Sequence, residues 1–261
     1  RMQSGNLIDQ AKSSASEGTG VCIVLSGTEN RAFVTQVGAT GHLAPEHLEG
    51  VNSLVRAQGK RVHVHISGFF SCTALRPLTA DYFYNLRSMA QGAGSNLTIS
   101  FDTNCDSSEQ WESGVHEILK LVDVFLPNDV EAQGISKQAD IVKAADELAR
   151  LVRVAVFVTC GADGVVMQTR EAVEKGLEPK RFRCPPNIVP VDPTGAGDAF
   201  DAAFIYKWAV LGGTLEEAAL LGSCGGANCT LSFGANTAPA SAKQLSEMAD
   251  QIREHVMSEP P

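Results

Sequence analysis

Residues 191–200 read VDPTGAGDAF and open an apolar segment with helical character. Gly195 and Gly197 permit unusual φ values and a close approach of a ligand to the backbone. The free amides and the positive dipole end of a helix N-terminus bind anions, and the dipole favours an ionised Asp198 in the first turn. The pattern therefore fits a carboxylate that takes a proton from an alcohol beside an anion hole. Taken alone, it fits an ordinary helix entry with a stabilising aspartate equally well.

A second polar segment, LPNDVEA at residues 126–132, follows a short apolar strand and opens a helix. Asn128 and Glu131 lie three residues apart, which places them on one helical face. Open α/β sheets bind ligands at the carboxyl ends of their strands, so the pair could organise hydrated Mg²⁺ and phosphate oxygens. The alternative is a capping box, and these residues alone slightly favour it.

A third segment, VTCGADG at residues 158–164, leaves another buried strand through a glycine-spaced turn. An ordinary β-turn explains this segment if it is considered by itself.

In this order, the three segments resemble the ribokinase-like (phosphofructokinase-B type) carbohydrate kinases. Residues 192–200 closely match the C-terminal signature of that family, and the resemblance extends over the chain from Thr19 onward. Further matches are Asn128 with Glu131, Thr159 with Gly161 and Gly164, and Asn228 ahead of Gly234-Ala235.

The resemblance implies ATP-dependent phosphorylation of a hydroxyl group on a small sugar or sugar acid. It makes Asp198 the base, and it makes the anion hole for the transferred phosphoryl group from Gly195, Ala196 and Gly197.

The resemblance also implies the binding residues for the nucleotide and for metal ions. Asn128 and Glu131 would act around Mg²⁺ and the ATP phosphates, and Asn228 would lie near the adenine. Asp192 and the Gly234 region resemble a site for a monovalent cation such as K⁺. The nucleotide site would be lined by Thr159, Gly161 and Gly164.

The order of predicted elements indicates an α/β fold. Helices and apolar strands alternate after residue 41, which predicts a mostly parallel sheet covered by helices on both faces. Residues 19–37 read as a hairpin with its turn at residues 27–30, and residues 154–159 and 164–168 read as the two strands of another. A strand is predicted over residues 96–101 and a helix over residues 110–121. With the resemblance, the fold class is a ribokinase-like three-layer αβα sandwich with a small, partial β-lid. We expect residues 1–40 to form the lid and its connection, and residues 41–261 to form the nucleotide-binding and catalytic domain.

One departure from the family concerns the start of the chain. The Gly-Gly motif, the sugar-binding Asp and the first strands of the family do not precede Thr19. We therefore expect this fragment to lack part of the substrate pocket and to be a weaker catalyst than a full-length chain.

Composition excludes several other classes of protein. Lys and Arg number 21 against 30 Asp and Glu, a formal net charge of −9 that argues against a nucleic-acid-binding protein. No apolar run is long enough for a transmembrane helix, so no membrane partner is expected. Seven cysteines without a C-x-x-C pair indicate reduced thiols and a cytoplasmic location.

Two alternatives stay open from the sequence. The same fold could phosphorylate a nucleoside or a vitamin, which aromatic stacking in the acceptor pocket by Phe69, Phe70, Tyr82 or Phe83 would favour. A non-catalytic nucleotide-binding fragment is the other alternative. The exposed edges of a lid also make a homodimer plausible.

Overall fold

The computed structural model describes residues 17–26, 31–235 and 237–258. The chain divides after Asp123 into two compact units. The boundary expected at residue 40, between a lid and an αβα domain, stays a prediction.

The first unit begins with the expected hairpin. Strands β1 (Val21–Ser26) and β2 (Arg31–Gln36) pair antiparallel, with Val21 opposite Gln36 and Ser26 opposite Arg31. The turn predicted between them, at residues 27–30, lies outside the described residues. The hairpin prediction is confirmed for the two strands.

The rest of the first unit alternates helices and strands. Strands β3 and β4 pair in parallel along their whole length, and helix α2 connects them. The elements are α1 (Glu49–Arg56), β3 (Arg61–Ile66), α2 (Thr79–Ala93), β4 (Asn96–Phe101) and α3 (Val115–Leu119). Phe83, Leu86 and Phe101 are fully buried and form the centre of this unit's core.

Helix α3 is shorter than the sequence suggests. Periodicity predicts a helix over residues 110–121, but Trp111 and Ser113 have φ angles of 56° and 65°, which no helix accommodates. The Asp106 carboxylate accepts the Trp111 amide at 2.8 Å and holds this segment in a loop. Helix α3 therefore begins only after Gly114, and Gly114 itself has a left-handed φ of 79°.

The second unit contains the other four strands and six helices of the described residues. Strand β5 pairs in parallel with β6, whereas β6 with β7 and β7 with β8 are antiparallel. The strands are β5 (Val124–Phe125), β6 (Ala155–Thr159), β7 (Val165–Thr169) and β8 (Lys180–Phe182). The helices are α4 (Asp129–Ser136), α5 (Ile141–Leu151), α6 (Arg170–Glu174), α7 (Ala196–Ile205), α8 (Leu215–Cys229) and α9 (Ala242–Ser258).

The predicted β–α–β order is confirmed in both units. Helices α4 and α5 connect the parallel strands β5 and β6, as α2 connects β3 and β4. Strand β7 returns from β6 as an antiparallel hairpin, also as predicted. Among the described residues, no helix combines the length and apolarity needed to cross a bilayer.

Helix α7 is held on the second unit's strands by aromatic packing. The ring centroids of Phe204 on α7 and Phe157 on β6 lie 4.6 Å apart in an edge-to-face arrangement. Phe200 stacks on Phe204 at 6.1 Å and joins the same buried cluster. This packing fixes α7, and with it the glycine-rich segment at its start, relative to β5, β6 and β7.

Candidate active site

The start of α7 has the geometry of an anion site. Gly195 caps the helix at φ 80°, in the left-handed region that glycine occupies at no steric cost. The first helical bond runs from the Ala199 amide to the Gly195 carbonyl at 2.9 Å. The amides of Gly197 and Asp198, which directly precede Ala199 in the first turn, have no acceptor within the helix, so they can face an anion.

Ala196, whose predicted place in the anion hole stays a prediction, bonds within the chain. Its amide donates to the Pro193 carbonyl at 3.2 Å and closes the turn before the helix. The geometry thus favours Gly197 and Asp198 as the amide donors, with Gly195 and Ala196 shaping the turn. The Asp198 side chain is exposed, as a group that meets a substrate must be.

The segment before α7 is tied to a second loop, which follows α8. The Asp192 Oδ1 accepts the Thr194 amide at 3.0 Å and the Thr194 hydroxyl at 2.7 Å. Its Oδ2 accepts the Gly234 amide at 2.9 Å. At the same place a Cβ on Gly195 would lie 2.6 Å from the Ala235 Cβ, so the two loops touch.

Cys229, the last residue of α8, stands between these two loops. Its thiol lies within donating distance of the Thr194 carbonyl, at 3.5 Å, and of the Ala235 carbonyl, at 3.3 Å. Burial raises the pKa of Cys229, and the carboxylates of Asp192 and Asp198 raise it further. The group is therefore a protonated thiol at neutral pH, which suits a hydrogen-bond donor and not a nucleophile.

Helix α8 packs closely against the first turn of α7 because it carries glycines there. A Cβ on Gly226 would stand 3.1 Å from the Ala196 carbonyl, and one on Gly225 would stand 2.6 Å from the Ala199 carbonyl. A larger residue at Gly225 would push the helices apart. The close approach of α8 supports the first turn of α7.

Asn128 and Glu131 form a complete capping box at the start of α4. The Asn128 Oδ1 accepts the Glu131 amide at 2.9 Å. The Glu131 Oε2 accepts the Asn128 amide at 2.9 Å, and its Oε1 accepts the Asn128 Nδ2 at 2.8 Å. The capping interpretation is confirmed, while the predicted role around Mg²⁺ stays a prediction.

Both carboxylates that the resemblance assigns to metal ions already accept hydrogen bonds, and their metal-binding roles stay predictions. Both oxygens of Glu131 accept N–H groups, and the side chain is only 5% exposed. Both oxygens of Asp192 also accept donors from Thr194 and Gly234. Within the described part of the chain, no group of three His, Cys, Asp or Glu side chains could hold a metal ion. A Mg²⁺ ion that keeps its waters is the form compatible with Glu131.

The glycine-spaced turn lies beside the capping box. The Thr159 amide donates to the Pro127 carbonyl at 2.9 Å, and Thr159 forms a parallel bridge with Asn128. Gly161 and Gly164 have φ angles of 55° and 87°. A Cβ on Gly164 would overlap the Phe182 carbonyl oxygen, so this position requires glycine. The structure thus brings the second and third predicted segments together at the ends of β5 and β6.

Asn228 lies at the end of α8, where its Nδ2 donates to the Ala238 carbonyl at 3.2 Å. The proximity to adenine predicted for Asn228 stays a prediction. All of the predicted site residues belong to the second unit.

Sequence reasoning assigned no individual role to Thr194, Cys229 or Ala235. The Asp-x-Thr spacing of Asp192 and Thr194 is a signal for such a turn, because an Asp side chain readily bonds the backbone two residues on. Nothing local marks Cys229 or Ala235, since their contacts depend on how α8 meets α7.

The first unit carries a separate polar group at the carboxyl ends of β3 and β4. The Ser67 hydroxyl donates to the Asp102 Oδ2 at 3.2 Å, and the Asn104 amide donates to the Asp102 Oδ1 at 2.9 Å. Asn104 and Ser67 are exposed. Strand ends of this kind bind ligands in open α/β sheets, so these residues are candidates for ligand contacts within the first unit.

The aromatic residues weighed as an acceptor platform lie in the core instead. Phe69 and Phe83 are 1% and 0% exposed, and both pack edge-to-face on Phe101, with centroids at 5.4 and 6.3 Å. Phe70 and Tyr82 are buried as well, at 7% and 5%. None of the four offers an open face for a base to stack upon.

Comparison with known proteins finds a matching family model and curated relatives. Residues 3–242 match the family model described as pfkB family carbohydrate kinase. A protein of Archaeoglobus fulgidus described as an uncharacterized sugar kinase is 27% identical over 208 residues, which cover 79% of this chain and 74% of that protein. A nucleoside kinase of Methanocaldococcus jannaschii is 29% identical over 154 residues, which cover 59% of this chain and 47% of the relative.

Solved structures agree on the fold. The ribokinase of Arabidopsis thaliana complexed with ribose and ATP superposes with a TM-score of 0.68 at 21% identity, covering 90% of this chain and 70% of that one. The likeness confirms the ribokinase-like α/β sandwich.

Proposed function

Because the chain belongs to the pfkB family of carbohydrate kinases, we propose that it transfers the γ-phosphoryl group of ATP to a hydroxyl group of a small sugar or sugar acid. The observation that carries this proposal is the exposed Asp198 carboxylate in the first turn of α7, beside the amides of Gly197 and Asp198. This arrangement supports the proposal of a base next to an anion site.

The proposed reaction is an in-line displacement at phosphorus. Asp198 takes the proton of the acceptor hydroxyl while that oxygen bonds to the γ-phosphorus and the bond to the β-phosphate oxygen breaks. ADP leaves, and the proton passes from Asp198 to solvent. The amides at the start of α7 stabilise the negative charge on the transferred group. Positioned dipoles contribute most to catalysis where charge develops in the transition state.

The proposed nucleotide site is the group at the ends of β5 and β6. Thr159, Gly161 and Gly164 expose backbone at a turn that ATP can approach closely, and Asn228 would contact the adenine end. Mg²⁺ bound to ATP neutralises phosphate charge. Glu131 would act on it through water, since both its oxygens accept N–H groups.

The proposed acceptor is a sugar rather than a nucleoside. The burial of Phe69, Phe70, Tyr82 and Phe83 supports this choice, because a base would need an exposed aromatic face. The sequence similarity to a nucleoside kinase of M. jannaschii, 29% identity over 154 residues, keeps a nucleoside as the second candidate for the acceptor. A cytoplasmic location is proposed from the free cysteines among the described residues.

The first unit's hairpin is the proposed contact for a homodimer. Ile23 on β1 and Val34 on β2 face each other across the hairpin and are 55% and 57% exposed. Val21 and Leu25 extend the same apolar face. Sedimentation of the parent and of Ile23→Lys at several concentrations tests this proposal, and a monomeric parent would contradict it.

A requirement for K⁺ is also proposed from the family resemblance. The Asp192 carboxylate that the resemblance assigns to this cation accepts hydrogen bonds from Thr194 and Gly234. No step of the proposed reaction passes through this cation. Rates in KCl and in choline chloride at equal ionic strength test the requirement.

The central experiment for the proposed function is an ADP-release assay over a panel of sugars, sugar acids and nucleosides. We expect ATP turnover to depend on a sugar or sugar acid. Turnover only with nucleosides would select the alternative acceptor, and binding of ATP without turnover on any acceptor would favour the non-catalytic fragment.

A further inference from the structure

Two side chains close the gap between the loop before α7 and the loop after α8. Asp192 bonds the Thr194 amide and hydroxyl on one side and the Gly234 amide on the other. The Cys229 thiol reaches the Thr194 carbonyl on the first loop and the Ala235 carbonyl on the second. We refer to Asp192 and Cys229 together as the loop clamp.

The two residues of the loop clamp lie on either side of Gly195, which directly precedes α7. Gly195 follows Thr194 directly, has φ 80°, and lies against Ala235 with no room for a Cβ. The dihedral angles of Gly195 determine where the next two amides and the Asp198 carboxylate point. Both clamp residues therefore act on Gly195 from its two sides, through Thr194 and through Ala235.

The thiol makes a specific contribution that a small apolar residue would not. It carries one proton, so it donates to one carbonyl at a time or shares the proton between the two. In either case the Thr194 and Ala235 carbonyl oxygens are held towards a common group. A methyl group at residue 229 would leave both carbonyls without that donor.

We propose that Asp192 and Cys229 are positioning residues for phosphoryl transfer, which hold Gly195 against Ala235 and so aim the α7 amides and Asp198 at the reacting phosphate. This inference rests on the proposed kinase function. A displacement of reacting groups by about 1 Å can cost about a hundredfold in rate, so a modest tie near Gly195 is enough to matter.

The first test compares Cys229→Ala with Cys229→Ser in the full chain, by steady-state ADP release. Loss of a hydrogen bond worth about 1 kcal/mol corresponds to about fivefold in rate. We expect Cys229→Ala to lower kcat by about that factor while KM for ATP changes by less than about twofold. Cys229→Ser keeps a donor and should recover most of the loss.

Cys224→Ala is the matched control. Cys224 lies on the same helix, is fully buried and packs in a cluster with Leu220, Ala249 and Ile252. Its replacement should lower the melting temperature and leave kcat unchanged. If Cys224→Ala lowers kcat as much as Cys229→Ala does, general loosening of α8 explains the effect and the proposal is overturned.

Asp192→Asn tests the other half of the clamp. Asn retains only one oxygen acceptor, so the tie to either Thr194 or Gly234 is lost. Since both clamp residues act on Gly195, the double variant should be less impaired than the product of the two single effects. Independent, multiplying effects would overturn the shared action on Gly195, and so would a raised KM with unchanged kcat.

A readout without catalysis separates this inference from the proposed function. If the parent chain turns over ATP with no acceptor on the panel, the kinase function fails, but the clamp can still be judged by hydrogen exchange. A peptide covering residues 194–199 should exchange faster in Cys229→Ala than in the parent and in Cys224→Ala. Equal exchange in all three would overturn the clamp.

Discussion

Gly195 lies against Ala235 so closely that a Cβ on residue 195 would stand 2.6 Å from the Ala235 Cβ and 2.9 Å from its Cα. The contact joins the loop before α7 to the loop after α8. Two independent constraints thus require glycine at residue 195: the absence of space, and a φ of 80°.

Gly195→Ala should therefore destabilise the second unit and abolish turnover. A left-handed conformation costs a non-glycine residue about 1–2 kcal/mol, and relief of the contact with Ala235 adds to that. Urea denaturation measures the loss of stability. An alanine variant with the parent's midpoint would contradict the contact.

Gly197→Ala is the informative counterpart. A Cβ on Gly197 meets nothing within 4 Å, and its φ is not in the left-handed region. Replacement of a helical glycine by alanine should leave stability equal or raise it by about 0.5–1 kcal/mol. If the amide of Gly197 receives the phosphoryl group, the new methyl group should nevertheless lower kcat. A variant that is both more stable and fully active would exclude close approach of the anion at Gly197.

The turn after β6 offers a second matched pair. Gly164→Ala would place a Cβ on the Phe182 carbonyl oxygen, whereas Gly161→Ala meets no atom within 4 Å and pays only for its φ of 55°. We expect about 1 kcal/mol of destabilisation for Gly161→Ala and clearly more for Gly164→Ala. Denaturation midpoints check the order, and a reversed order would contradict the packing of Gly164 on β8.

Glu131→Gln separates capping from the magnesium role. An amide keeps only one of the two oxygens that now accept Asn128 N–H groups, so stability should fall by about 1 kcal/mol. The lost charge should also raise the Mg²⁺ concentration needed for half-maximal rate. A variant that loses stability but keeps the parent's Mg²⁺ dependence would leave Glu131 with capping alone.

Two histidines on β3 should make the first unit sensitive to acid. Burial lowers the pKa of His63 to about 4, although Asp123 opposes this shift. Burial, and then His63 itself, lowers the pKa of His65 to about 4. Both imidazole rings form hydrogen bonds with the Ser100 hydroxyl, at 2.9 Å from His63 and 2.7 Å from His65.

The sign of the effect follows from these folded-state values. The unfolded chain binds protons near pH 6.5 and the folded chain only near pH 4, so stability is full above about pH 6.5 and falls as the pH drops towards 4. Urea midpoints at pH 7 and pH 5 should differ for the parent and differ less for a His63→Gln/His65→Gln variant. An equal difference in both would assign the pH dependence to other groups.

The sequence predicts most elements of the fold because their periodicity is local. Strand β4 has the predicted bounds, Asn96–Phe101, and the β6–β7 hairpin pairs as expected. The prediction fails over residues 110–114, since a tertiary contact decides that segment. The Asp106 carboxylate accepts a hydrogen bond from the Trp111 amide, and helix propensities do not account for such a contact.

The candidate site is predictable only in part, for a similar reason. Gly195, Gly197 and Asp198 carry their role in their spacing, and Asn128 with Glu131 carries the capping signal that the structure confirms. Cys229 lies 35 residues from the carbonyl of Thr194 that it contacts. Such a contact depends on the close packing of α8 against α7 that the glycines of α8 allow. The sequence alone does not predict that packing.

The most direct test of the proposed reaction is steady-state ADP release by Asp198→Asn, with ATP binding followed by calorimetry. A positioned base supplies about 10²–10⁴ in rate, so kcat should fall at least about a hundredfold. Asn is also accepted in the first turn of a helix, so stability should change by less than about 1 kcal/mol. ATP affinity should stay near that of the parent, because the turn at Gly161–Gly164 is proposed to hold the nucleotide. A kcat within about tenfold of the parent would remove Asp198 from the role of base and contradict the mechanism.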